Sequence, residues 1–204
     1  MSTSTTRNQT SIELGDTVPT VTITREFDAP VAHLFRAWTD GDLVARWMGP
    51  RSQTMHIERY DCTTGGAWRW WSSGEDGVEH HFYGSFHDVR ADDRLVQTFT
   101  YEGFPDSVSL ETATFEDLGE GRSRVTTVSL VDSFEARDAF VASGMEHGVV
   151  GSLPEIPTRQ YQAAARKKPC KGNVLVGTQT IAFTALLGAR RELIAQTSSK
   201  RTAS

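Results

Sequence analysis

The sequence predicts an α+β protein built on one long antiparallel sheet, and two observations carry that prediction. From Gln53 to Asp132, apolar and polar residues alternate with a period of two, interrupted by TTGG, SGEDG, RADD, EGFPD and LGEGR. These clusters are the punctuation of hairpin-connected strands. On both sides of this stretch the apolar spacing changes to that of helices. A chain of 204 residues, 38% of them hydrophobic, has enough material for one sizeable core with appendages.

Taken in order, MSTSTTRNQTSIELGDTVP is rich in Ser and Thr, and residues 1–19 are expected to be a disordered leader. TVTITREFDA alternates β-branched with polar residues and reads as a strand. Asp28 is placed to cap a helix whose early turn holds Pro30, a position that tolerates the missing N–H. Val31, Leu34, Phe35 and Trp38 then follow at helical spacing. Asp40-Gly41 breaks that helix, and Leu43, Val44 and Trp47 form a second short one, stopped by Gly49-Pro50. Six strands are expected near 54–60, 67–73, 78–89, 94–101, 108–117 and 122–131. SFEARDAFVASGMEHGVVGS returns to helical spacing, so a last helix has one face of the sheet to cover.

Alternation assigns side chains to faces. Trp68 and Trp70 share one face of their strand, opposite Arg69 and Trp71. His80, Phe82, Gly84 and Phe86 align on the next strand, and Leu95, Gln97, Phe99 and Tyr101 on the one after. Each strand thus presents an aromatic face carrying an isolated polar residue, His80 or Gln97. Such a face suits the wall of a ligand cavity, mostly apolar with a few placed polar groups, and it equally suits a solid core containing one satisfied histidine.

Charge and motif spacing exclude several functions. Residues 1–153 carry 12 Lys and Arg against 24 Asp and Glu, whereas residues 154–204 carry 9 against 2. A main domain this acidic repels phosphate backbones, so nucleic-acid binding is not expected. No run approaches the length of a membrane span, and the N-terminus lacks the apolar stretch of a secretory signal. Cytoplasmic location is therefore the default. Cys62 and Cys170 suggest neither a disulfide framework nor a zinc motif, and Cys62 reads as a packing residue. His80 and His81 are adjacent and point to opposite faces, and His87 lies roughly 20 Å further along the strand, so no metal is expected. No nucleophile elbow or phosphate loop occurs, and no residue is assigned as catalytic. A general acid/base pair of Glu111 with His80, meeting across the sheet, stays open as an alternative.

FDAPVAHLFRAWTDGDLVARWMGP, TTGGAWRWW, HFYGSFHDVRADDRLVQTF and RDAFVASGMEHGV occur in that order. Together they resemble the bacterial family similar to the C-terminal domain of the activator of heat-shock protein 90 ATPase, in the START-like (SRPBCC) superfamily. The resemblance spans about residues 20–152 and implies a helix-grip fold: a curved antiparallel sheet, two short helices, and a C-terminal helix across the concave face. It implies a cavity for a small apolar molecule and no cofactor. Trp47 and Pro50 match the family's Trp-x-Gly-Pro stop. Trp68, Trp70, Phe82, Phe86 and Phe99 match its inward-facing strand positions, and Met145 and Val149 the helix face that closes the cavity. With His80 and Gln97 as orienting groups, these residues (Pro50 apart) form the expected ligand-binding set. Gly84 and Gly144 match positions set by backbone requirements.

Some relatives are cyclases, which keeps a cyclase- or hydrolase-like activity in the same cavity as an alternative. The family's link to stress response makes chaperone activation a second one. A chaperone partner is not expected, because only about 20 polar residues precede the first strand, where the eukaryotic activator has a separate domain. A homodimer is left open.

The chain departs from the family pattern after Ser152. Pro154 and Pro157 stop the helix near Ser152, since an interior proline costs about 3 kcal/mol. Residues 153–204 are expected to be an atypical basic tail, partly helical or disordered. One coding of Ser152–Ile156, shortened by a single base, would spell Ser-Tyr-Gln-Arg, close to the family's continuation. The tail therefore reads as frame-shifted or otherwise novel, with residues 176–195, which include Ile181 and Ile194, as a candidate substitute helix.

Overall fold

The computed structural model describes residues 10–48, 53–74 and 76–142, apart from the side chains of Phe140 and Ala142. Eight strands among these residues form one antiparallel sheet, in the order β1-β2-β8-β7-β6-β5-β4-β3. The strands are β1 (Thr10–Leu14), β2 (Thr20–Phe27), β3 (Thr54–Tyr60), β4 (Ala67–Ser73), β5 (Glu79–Arg90), β6 (Arg94–Tyr101), β7 (Val108–Gly119) and β8 (Arg122–Leu130). The helices are α1 (Val31–Thr39) and α2 (Gly41–Trp47), between β2 and β3, and α3 (Phe134–Ala142), after β8. This is the α+β helix-grip class that the sequence predicts, and strands β3 to β8 fall within about two residues of the expected bounds.

Two expectations are corrected. The segment expected to be a disordered leader contains β1, which pairs with β2 from Thr10↔Arg25 to Leu14↔Val21. Ile12 and Leu14 lie on the same face as Ile23 and Val21, so a polar stretch is recruited by the apolar strand beside it. Asp28 does not cap α1. The N-cap is Pro30, which makes no side-chain cap bond, while its carbonyl accepts from the amides of His33 and Leu34. Asp28 lies instead 3.9 Å from the Arg122 guanidinium.

The helical hairpin is fastened by three polar contacts. Asp40 ends α1 and begins α2, where its carboxylate accepts from the amide of Asp42 at 3.1 Å. The Trp47 indole N–H donates to the carbonyl of Ala37 at 2.7 Å, and the Tyr60 hydroxyl donates to the carbonyl of Trp38 at the same distance. These bonds hold Trp38 over the sheet, where its ring meets Phe115 edge-on at 5.7 Å and Phe27 at 6.3 Å. On α3, the Ser133 hydroxyl accepts from the amide of Ala136 at 3.1 Å, as an N-cap side chain does.

The core lies on one face of the sheet, against the hairpin. Trp68, Trp70, Phe82, Phe86, Leu95, Phe99, Tyr101, Ala113, Phe115 and Val125 all face it, together with Leu34, Trp38 and Val44 of the helices. The opposite face carries ion pairs such as Arg69–Glu58 at 3.2 Å and a stack in which His56 lies 4.0 Å from Trp71. His81 follows Trp71 in that stack at 6.1 Å. The adjacent histidines thus occupy opposite faces, as alternation requires.

Candidate functional site

The inner face has an aromatic half and a polar half, and the strand register determines both. On β4, β5 and β6, Trp70 stacks on Phe82 with ring centres 4.2 Å apart, and Phe82 stacks on Tyr101 at 5.0 Å. Phe99 completes the wall at 5.4 Å from Trp68 and 5.5 Å from Phe82. These rings are at least 95% buried. Gly84, directly opposite Trp68, makes room for the wall: a Cβ there would fall 2.0 Å from the carbonyl oxygen of Thr98 and 2.6 Å from the Trp68 ring. The indole N–H of Trp68 is buried and has no hydrogen-bond acceptor among the described residues.

His80 stands at one end of this wall. It is 7% exposed, and its Nδ1 lies 2.9 Å from the Tyr101 hydroxyl, so a tyrosine fixes the ring. The proposed encounter with Glu111 does not occur. Phe82 pairs with Tyr101 and Gln97 pairs with Glu111, which separates His80 from Glu111 by about six residues along the strands, roughly 20 Å, and by two strands. Sequence alternation places both residues on the inner face, and only the register reveals the distance.

The polar half lies across β6, β7 and β8. Gln97, Glu111 and Ser129 are consecutive cross-strand partners, with Thr127 and Ser109 beside them on the same face. Ser109 Oγ donates to Glu111 Oε1 at 2.6 Å, and Ser129 Oγ donates to Oε2 at 2.5 Å. Burial pushes the carboxyl pKa of Glu111 up, and the two hydroxyl donors oppose that shift. Gln97, Glu111, Thr127 and Ser129 line a cleft with Trp38, Leu95 and Ala113. Its cavity volume is about 20 Å³, room for about one water.

Of the expected ligand-binding residues, Trp68, Trp70, Phe82, Phe86 and Phe99 form the aromatic wall and Gln97 lines the cleft. Trp47 stands behind Trp38, its ring 4.8 Å away, and supports the wall of the cleft from the helical side. Met145 and Val149 lie outside the described residues, as do Pro50, Gly144 and the basic tail. The niche made by Ser109, Thr127 and Ser129 was not foreseen. Its only trace in the sequence is that β8 alternates Ser123, Val125, Thr127 and Ser129 inward, an unusually polar series for a core strand. Among the described residues no group of His, Cys, Asp and Glu is arranged to hold a metal ion, and no helix is long and apolar enough to cross a membrane.

A family model described as activator of Hsp90 ATPase homolog 1-like protein matches residues 28–156, more than half of the chain. The chain belongs to this family. A solution structure of an Arthrobacter aurescens protein is 28% identical, with a TM-score of 0.62 over 68% of this chain and 83% of that one. A Rhodobacter sphaeroides protein, 24% identical over 68% of this chain and 88% of its own, has the same TM-score of 0.62. A Mycobacterium smegmatis protein is 23% identical with a TM-score of 0.60, covering 79% of this chain and 98% of that one. The latter two likenesses concern the fold. No curated protein matches the chain. The family and fold agree with the resemblance read from the sequence and are compatible with a ligand-binding domain; a cavity-based reading within the family rests on the site itself.

Proposed function

We propose that this member of the Hsp90 ATPase activator homologue family binds a small, predominantly apolar molecule against the inner face of its sheet. The ligand's body lies along Trp68, Trp70, Phe82 and Phe99, and its polar end turns toward Gln97 and Glu111. The observation that carries this reading is the Trp68 indole N–H, buried among aromatic rings without an acceptor among the described residues. A donor left unsatisfied in a protein interior costs about 1–3 kcal/mol, and a ligand oxygen or nitrogen would recover it. The cleft beside Gln97 and Glu111 supports the same reading, because it joins a few convergent polar groups to an apolar wall. The wide separation of His80 from Glu111 removes the acid/base pair that an enzyme reading required, and binding without turnover is favoured.

Native mass spectrometry of the purified chain, with titration of the uncharged dye N-phenyl-1-naphthylamine as an external probe, tests the proposal. A discrete adduct lost on denaturation, or saturable one-to-one binding of the dye that Trp68→Phe weakens, is the expected result. A bare chain that binds no dye overturns it.

A further inference from the structure

The polar niche sets a limit on what the ligand's head can be. We infer that the site selects apolar molecules ending in a hydrogen-bond donor, a hydroxyl or an amine, and rejects molecules of the same shape ending in a carboxylate. This inference rests on the binding reading above and specifies the ligand class.

The argument begins with what Glu111 has left to offer. A carboxylate has about four lone-pair positions and no proton. Ser109 and Ser129 each donate to a different oxygen, which leaves each oxygen of Glu111 with one further acceptor position. Both serines spend their only protons on Glu111, so neither donates to a ligand while those bonds last. The two hydroxyls therefore leave the niche acceptor-rich. Gln97, the cross-strand partner of Glu111 and 3% exposed, adds an amide beside it. Among the described residues no Lys or Arg lines the cleft. An anionic head placed here meets a like charge in a poorly solvated setting, without a cation to offset it. A hydroxyl or ammonium meets the free lone pairs of Glu111.

The aromatic wall fixes where the rest of the molecule goes. Trp68 is on β4 and Glu111 on β7, three strand spacings apart, or roughly 14 Å across the sheet. Donor-bearing head and apolar body thus occupy different parts of the same face, and an acceptor at the far end of the ligand would meet the Trp68 N–H.

Isothermal titration of the full chain with naphthol, naphthylmethylamine and naphthoate tests the selection, since the three share one apolar body and differ in the head. Naphthol and the amine are expected to bind at least about tenfold more tightly than naphthoate at neutral pH. Glu111→Gln is expected to shrink that ratio, mainly by improving naphthoate binding. Equal binding of all three, or preference for naphthoate, overturns the head-group inference while leaving the cavity reading intact. Failure of all three to bind, with no dye binding either, overturns the cavity reading and the inference with it. The wild-type ratio alone decides the matter if Glu111→Gln does not fold.

Discussion

The Trp68 indole lies on the bare α-carbon of its cross-strand partner Gly84, at a distance that leaves no space for a methyl group. The close neighbours of such a methyl are a strand carbonyl, that of Thr98, and the Trp68 ring itself. Gly84→Ala is therefore expected to destabilise the fold by about 1–3 kcal/mol, the usual cost of overpacking. Denaturant unfolding checks this, with Ser85→Ala on the exposed face as the comparison that leaves the midpoint nearly unchanged.

The two faces of β4 predict a second contrast. Trp70 is 1% exposed and stacked on Phe82, whereas Trp71 is half-buried in the outer His56–Trp71–His81 stack. Trp70→Ala is expected to cost about 3–5 kcal/mol, as for other buried aromatic truncations. Trp71→Ala should cost about 1 kcal/mol. A pair of thermal or denaturant melts decides it, and equal losses would contradict the assignment of faces.

Glu111 gives the stability a pH dependence with a definite sign. Its folded pKa is raised by burial above the ordinary 4.5. Below that value both folded and unfolded chains hold the proton, and the carboxyl imposes no penalty. As pH rises, the unfolded chain ionises first and binds fewer protons than the folded one, so stability falls until the folded carboxyl also ionises. Stability measured from pH 4.5 upward is thus expected to fall more steeply in the wild type than in Glu111→Gln. Parallel slopes would show that the carboxyl is not held in the niche.

Cys62 is expected to be a poor nucleophile. Burial, helped by the neighbouring Asp61 carboxylate, pushes its thiol pKa from 9.0 up to about 12. The folded chain then has on the order of a thousandfold less thiolate than an ordinary cysteine. Iodoacetamide labelling at mildly alkaline pH, followed at the Cys62 peptide by mass spectrometry, is expected to be about a hundredfold or more slower in the native chain than in urea.

Much of the architecture was legible because alternation and turn residues are local signals. Strands β2 to β8 and the Asp40-Gly41 break are each specified by the residues they contain. β1 was missed because its stability lies in its partner: two apolar residues, Ile12 and Leu14, form a strand only where Ile23 and Val21 are already aligned beside them. The Asp28 cap failed for a similar reason, since Arg122, 94 residues later, draws the carboxylate away. At the site, the sequence identified which residues face inward and not which of them meet. Gln97 and His80 look alike in their strands, each a polar residue between aromatics. Register alone gives one of them Glu111 as a neighbour and the other Tyr101.

The strand order has a consequence for synthesis of the chain. β2 is paired on its inner edge with β8, and the facing hydroxyls of Thr24 and Thr126, 3.3 Å apart, are 102 residues apart in sequence. A ribosome working at about 5–20 residues per second needs roughly 5–20 s to supply that partner. Throughout this interval the β1–β2 hairpin presents an open edge, with Val21, Ile23 and Phe27 not yet covered. Slower translation between Phe27 and Arg122 is therefore expected to lengthen, in proportion, the time for which each nascent chain carries that open edge.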